Sequence, residues 1–128
     1  MKALLDTHAF LWWLSDDPRL GNAARELIAD HRNEVFLSVA STWELAIKAS
    51  IGKLHLQMPL EDLLQSAKHD LGLRILHIEL AHALAVQNLA FHHRDPFDRL
   101  LLAQARVNGL SILSRDAIFD LYEIPRIW

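Results

Sequence analysis

Short apolar runs alternate with longer amphipathic stretches along this chain. Lys2–Asp6 (KALLD) is apolar and closes on a carboxylate, which suits a buried strand. Thr7–Leu14 reads as a short helix that Asp16-Asp17-Pro18 ends. Asn22–His31 reads as a second helix and Glu34–Ser38 as a second strand. Ser41 opens the next helix, with Glu44 at capping-box spacing in its first turn. Leu45, Ile47 and Ile51 give that helix an apolar side, and Gly52 stops it. A helix is predicted from Pro59 to about Leu71, ended by Gly72, and then a strand over Leu73–Ile78. The alanine-rich stretch Glu79–Phe91 predicts a helix by propensity. Asp95-Pro96 sets an N-cap and a first-turn proline at the head of a helix that runs to about Asn108 and stops at Gly109. Leu110–Ser114 reads as a strand, Asp116–Tyr122 as a short helical turn and Glu123–Ile127 as a last strand.

Strands separated by helices in this order predict an α/β fold around a mostly parallel sheet. In such sheets ligands sit beyond the carboxyl ends of the strands, where the strand order reverses. The 128 residues suit a single domain over 1–128. A hydrophobic share of 52% and a charged share of 23% exclude a disordered chain. The absence of cysteine excludes a disulfide framework and a thiolate metal site, and fits a reducing cytoplasm. No apolar run approaches the roughly 20 residues of a membrane span. The brief apolar start, stopped by Asp6, does not have the form of a signal peptide. A net charge of -3 argues against non-specific nucleic-acid binding through bulk charge. It leaves room for an acidic site whose metal ion brings the positive charge.

Four acids fall at one edge of this sheet. Asp6 ends the first strand, and Asp116 follows the strand Leu110–Ser114. Glu44 lies in the first turn of a helix expected to begin at the same edge, and Asp98, in the first turn of the helix that Asp95-Pro96 opens, joins them if that helix starts there too. Each has a simpler reading when taken alone. Asp6 and Asp116 suit N-caps, Glu44 a capping box with Ser41, and Asp98 the positive end of a helix. Together they repel one another unless a counter-ion is present. An all-oxygen set of this kind suits Mg²⁺ or Mn²⁺. The chemistry that fits is phosphodiester hydrolysis by a metal-activated water. Arg94, Arg99 and Arg115 flank the acids and offer phosphate contacts. Lys48 follows Glu44 by one turn, and either contacts substrate or pairs with Glu44.

The segments DTHAFLWWL (Asp6–Leu14), SVASTWELAIKASIGKL (Ser38–Leu54), HRDPFDRLLLAQA (His93–Ala105) and SRD (Ser114–Asp116) resemble the PIN-domain proteins. More narrowly, they are similar to the VapC-type ribonuclease toxins of toxin–antitoxin pairs, over nearly the whole chain. The resemblance implies a three-layer α/β/α domain with about five strands. It also implies a Mg²⁺- or Mn²⁺-dependent endoribonuclease that leaves a 5′-phosphate. Carried over by position, the family's acids fall on Asp6, Glu44, Asp98 and Asp116, as metal ligands and catalytic groups. Ser114 fits the small hydroxyl position before the last acid, and Asp95 is assigned to capping. The implied partners are an RNA substrate, a cognate antitoxin and a second copy of the chain in a homodimer. Phe10, Trp12, Trp13 and Trp43 are candidates for an antitoxin groove, with core packing favoured for at least two of them. Two other readings stay open: a non-catalytic interaction module on the same fold, and an RNA-processing nuclease without an antitoxin. The eight histidines form no zinc motif; His8 alone is placed at the rim of the acidic site.

Overall fold

Strand β1 (Lys2–Leu5) sends Ala3 and Leu5 to one face of a sheet and Leu4 to the other, and none of the three is solvent-exposed. Strand β2 (Glu34–Ser38) repeats this with Val35 and Leu37 opposite Phe36. Strand β4 (Ser111–Leu113) does so with Leu113 opposite Ile112. Apolar residues at successive positions require cover on both faces of the sheet, as parallel sheets have. In the computed structural model, which describes residues 1–128, that cover is six α-helices and two 3-10 turns.

Helices α1 (Thr7–Leu14), α2 (Asn22–Ala29) and α4 (Leu60–Leu71) cover one face through Phe10, Leu27, Ile28 and Ala67. Helices α5 (Leu80–Ala85) and α6 (Pro96–Asn108), with the 3-10 turns Val86–Asn88 and Ala117–Tyr122, cover the other. Helix α3 (Val39–Ser50) contributes Leu45 to the first core and Ala40 to the second. With β3 (Arg74–Leu76) and β5 (Arg126–Ile127), the strand order is β3-β2-β1-β4-β5, and every pairing is parallel. The chain leaves β1 in one direction for β2 and β3 and returns to its other side for β4 and β5. The order therefore reverses between β1 and β4, where a binding crevice is expected.

Several boundaries differ from those expected of the sequence. Helix α3 begins at Val39, before Ser41, because the Ser38 hydroxyl accepts the Ala40 N–H at 3.0 Å and acts as the cap. Ser41 and Glu44 are therefore not a capping box, and Glu44 lies in the second turn. The helix expected over Glu79–Phe91 stops at Ala85 and passes through a single 3-10 turn. Arg99 explains the stop. Its guanidinium is buried and donates to the carbonyls of Val86, Leu89, Ala90 and His93 at 3.0–3.5 Å. Those carbonyls face a cation instead of a following turn of helix. Strand β3 is shorter than Leu73–Ile78, and β5 keeps only Arg126–Ile127, after Glu123 turns the chain at φ 59°.

The last residue is bound to the head of α2. The Trp128 carbonyl accepts the Ala23 N–H at 3.1 Å, and the Trp128 ring packs edge-on against Trp12 at 5.7 Å. Gly21 makes this approach possible, since a Cβ there would lie 2.5 Å from the Trp128 carbonyl carbon. Gly21→Ala is expected to destabilise the fold by about 1–3 kcal/mol, as overpacking does. Urea denaturation monitored by tryptophan fluorescence measures this, and an unchanged midpoint would contradict the close approach.

Candidate active site

Asp6 follows β1 directly. Its backbone N–H continues the pairing with β4 by bonding the Leu113 carbonyl at 3.1 Å. Its carboxylate turns back over α1 and accepts the Ala9 N–H at 2.7 Å, so Asp6 is the N-cap of that helix. Ser114 is fully buried one residue beyond β4, beside Asp6. Its hydroxyl accepts the Asp116 N–H at 3.0 Å. Asp116 caps the following 3-10 turn by accepting the Ile118 N–H at 3.0 Å. The two strands on either side of the reversal thus end in capping aspartates, and Ser114 lies between them.

The other two acids arrive on helices. Thr7, buried in the first turn of α1, donates its hydroxyl to Glu44 at 2.7 Å and lies 3.1 Å from the Ser41 hydroxyl. That contact draws α3 to α1 at this edge. Asp98 is in the first turn of α6, behind the N-cap Asp95, which accepts the N–H groups of Phe97 and Asp98. Asp95 is thus a helix cap, as the sequence indicates.

Mutual repulsion marks which acids lie near one another. The Asp98 carboxyl is pushed up to about 7, first by burial and then by the negative charges of Asp95, Asp6, Glu44 and Asp116. Burial also raises the Asp6 carboxyl, while Ser114 and the Ala9 N–H pull it down and the nearby Asp116 charge raises it further. All four predicted acids therefore fall within one electrostatic field. They do not close into a coordination sphere: nowhere do three His, Asp or Glu side chains converge closely enough to hold an ion without moving. Glu44 is held by Thr7 and by Lys48, whose ammonium lies 3.0 Å away.

The predicted basic residues separate into distinct roles. Arg115 is exposed and lines an open cleft of about 350 Å³ with Asp6, His8, Trp12, Asp116 and Ala117. His8 thus lies at the rim, as expected. Arg94 is exposed, and Lys48 is paired with Glu44. Arg99 cannot contact a substrate, because it is buried, its guanidinium bonds main-chain carbonyls and it lies 4.0 Å over the Phe91 ring. Helix α6 turns Arg99 inward, one residue after it places Asp98 among the charges of the other acids.

Among the aromatic candidates, Phe10 is fully buried and Trp13 packs beside it. Trp12 lines the cleft, stacked on His8 and under Arg19. Trp43 is 59% exposed and meets Phe97 edge-on. Three polar residues of this edge escaped sequence reasoning: Thr7, Tyr122 and His93. Thr7 had a visible signal, a hydroxyl directly after a strand-ending aspartate. His93 lies 3.7 Å from Asp98, and burial holds its imidazole below the usual range. Its only sequence signal was its place beside the Asp95–Asp98 segment.

The PIN domain family model matches residues 3–125. The chain is 32% identical over 124 residues to ribonuclease VapC22 of Mycobacterium tuberculosis, covering 96% of this chain and 93% of that protein. Its fold resembles VapBC2 of Rickettsia felis, solved bound to a DNA fragment from its promoter. There the TM-score is 0.73 at 15% identity, with 98% of this chain and 97% of the other covered. It also resembles DNA-bound VapBC of Salmonella typhimurium, with a TM-score of 0.68 at 17% identity and 98% and 96% coverage.

The raised Asp98 carboxyl predicts a pH dependence of stability. A group whose pKa rises on folding contributes stability that is complete below its unfolded pKa and lost as the pH climbs through the folded value. For Asp98 that window runs from about 4 to about 7. In EDTA, Asp98→Asn is therefore expected to match the wild type near pH 4 and to exceed it by on the order of 1–3 kcal/mol at pH 8. Denaturant unfolding across this range measures the difference, and equal stability at pH 8 would remove Asp98 from the repulsive cluster.

Proposed function

The chain belongs to the PIN-domain family, and from that premise we propose that Asp6, Glu44, Asp98 and Asp116 are the active site of an endoribonuclease toxin. One observation carries the assignment: Asp6 and Asp116 line one cleft at the reversal of the strand order, and their charges, with that of Glu44, reach Asp98. The relative that is 32% identical is a ribonuclease, and the structural neighbours are VapBC complexes. These likenesses support a toxin that acts on RNA and is held by an antitoxin.

The donor chemistry fits a divalent cation. The four groups are carboxylates, their repulsion calls for positive charge, and Mg²⁺ and Mn²⁺ prefer oxygen ligands while keeping water. When bound, such an ion supplies Lewis acidity and lowers the pKa of water, the two needs of phosphodiester hydrolysis. The protein's own part is positioning. Asp6 is fixed by Ala9, Asp116 by Ile118, and Glu44 by Thr7. Arg115, exposed in the cleft beside Asp6 and Asp116, offers a guanidinium to a phosphate. Lys48, bound to Glu44, offsets part of the acidic charge.

The partners proposed are an RNA substrate, a cognate antitoxin and a second copy of this chain, and the compartment is the cytoplasm. No helix is long and apolar enough to cross a membrane.

Purified protein freed of any antitoxin is expected to cut total bacterial RNA with Mn²⁺ or Mg²⁺ and to stop in EDTA. Asp6→Asn and Asp98→Asn are each expected to lower the rate by about 100-fold or more, the scale of losing electrostatic stabilisation at a reacting centre. Gel analysis of cleavage products tests this. Cutting that persists in both folded variants would overturn the assignment of the site.

A further inference from the structure

His93 is the one buried polar side-chain atom group at this edge that ends without a partner. Its Nε2 makes no hydrogen bond and has no surface open to solvent. Its Nδ1 lies 2.7 Å from the Tyr122 hydroxyl. That hydroxyl already accepts the backbone N–H groups of His92 and His93, at 3.1 and 3.2 Å. With both lone pairs in use, the Tyr122 O–H is left to donate, and Nδ1 is the acceptor in reach. A neutral imidazole that accepts at Nδ1 carries its proton on Nε2. Nε2 lies 3.7 Å from Asp98 Oδ2, just beyond hydrogen-bonding distance.

The surrounding structure holds this ring firmly. The His93 carbonyl is bound by Arg99, and the ring packs edge-on between Phe119 and Tyr122. The Asp98 carboxylate has no such restraint, and its terminal torsion is broad. A turn of that carboxylate toward Nε2 is what the contact requires. Enclosed as it is, Nε2 cannot touch an RNA strand in the cleft, so it acts only through Asp98.

We propose that Tyr122 and His93 form a positioning pair: Tyr122 sets the Nε2–H tautomer of His93, and His93 donates to Asp98 Oδ2, leaving the other carboxylate oxygen free for a metal ion. The pairing rests on the proposed nuclease site, in which Asp98 is a metal ligand. A partner that orients a ligating carboxylate changes metal affinity or activity by about 10–100-fold when it is lost.

Nitrogen-15 NMR of histidine-labelled full-length protein tests the contact without any turnover. The expected spectrum has His93 protonated at Nε2. That resonance should shift on adding Mg²⁺, and the shift should vanish in Asp98→Asn. In kinetics, His93→Leu is expected to lower kcat tenfold or more, or to weaken Mg²⁺ binding by that factor, with KM for RNA unchanged. His93→Gln, which returns an N–H donor at the same reach, is expected to recover most of the loss. A ring protonated at Nδ1, an Nε2 signal indifferent to Asp98→Asn, or a folded His93→Leu with wild-type Mg²⁺ affinity and rate would each overturn the proposal. If Asp98→Asn itself cuts RNA normally, the nuclease site is misassigned, and the Nε2 signal still decides whether His93 contacts Asp98.

Discussion

Like charges held at the carboxyl edge of one sheet are the constraint around which this molecule is arranged. Asp6 is nearly buried, Asp98 is partly so, and neither has a cationic side chain bonded to it. Ionised carboxylates in such places are costly unless hydrogen bonds or a counter-ion compensate. The fold provides hydrogen bonds for Asp6 and Asp116 from helix and turn N-termini, where backbone N–H groups point outward without partners. Capping and ligand roles are therefore compatible at these two positions. One carboxylate oxygen secures a helix, and the residue still faces the cleft.

The parallel sheet makes this arrangement possible. Because all five strands run the same way, β1 and β4 end side by side, and the elements that follow both strands begin there. The reversal of strand order opens a gap between the elements on either side. Helix α3 is joined to the gap by the Thr7 hydroxyl, which bonds Glu44 across two helices. Helix α6 comes from farther along the chain. Its start is set by Asp95 and Pro96, and its packing by a buried apolar side that includes Leu101, Leu102 and Ala105.

Arg99 and His93 show how the second face of the sheet supports the edge. A buried guanidinium normally needs an anion, but Arg99 is bound by four carbonyls of the segment before α6. It replaces a helical hydrogen-bond pattern with one that carries His93 up to Asp98. Tyr122, from the 3-10 turn after Asp116, meets His93 from the other side. The same short turn is thus capped by one site carboxylate and carries the hydroxyl that orients the partner of another.

Sequence alone determined most of the elements, because period, caps and stops are local. Glu34–Ser38, Thr7–Leu14 and the helix headed by Asp95-Pro96 and closed by Gly109 form where their own residues indicate. It also placed Asp6 and Asp116 at one edge, since strand ends in a parallel sheet can be read from order alone, whereas Glu44 and Asp98 depended on where their helices begin. Tertiary structure decided where local signals competed. The alanine-rich run Glu79–Phe91 favours helix by propensity, yet Arg99, many residues later, takes its carbonyls. The spacing of Ser41 and Glu44 suggested a cap, yet Ser38 caps that helix and Thr7 takes up Glu44. Arg99 read as a phosphate contact by its position beside Asp98, yet adjacent helix residues point in different directions. Ser38 stands within a short window of Ser41, but Thr7 and the carbonyls that bind Arg99 belong to other elements, and only the packed fold brings them to Glu44 and to the guanidinium.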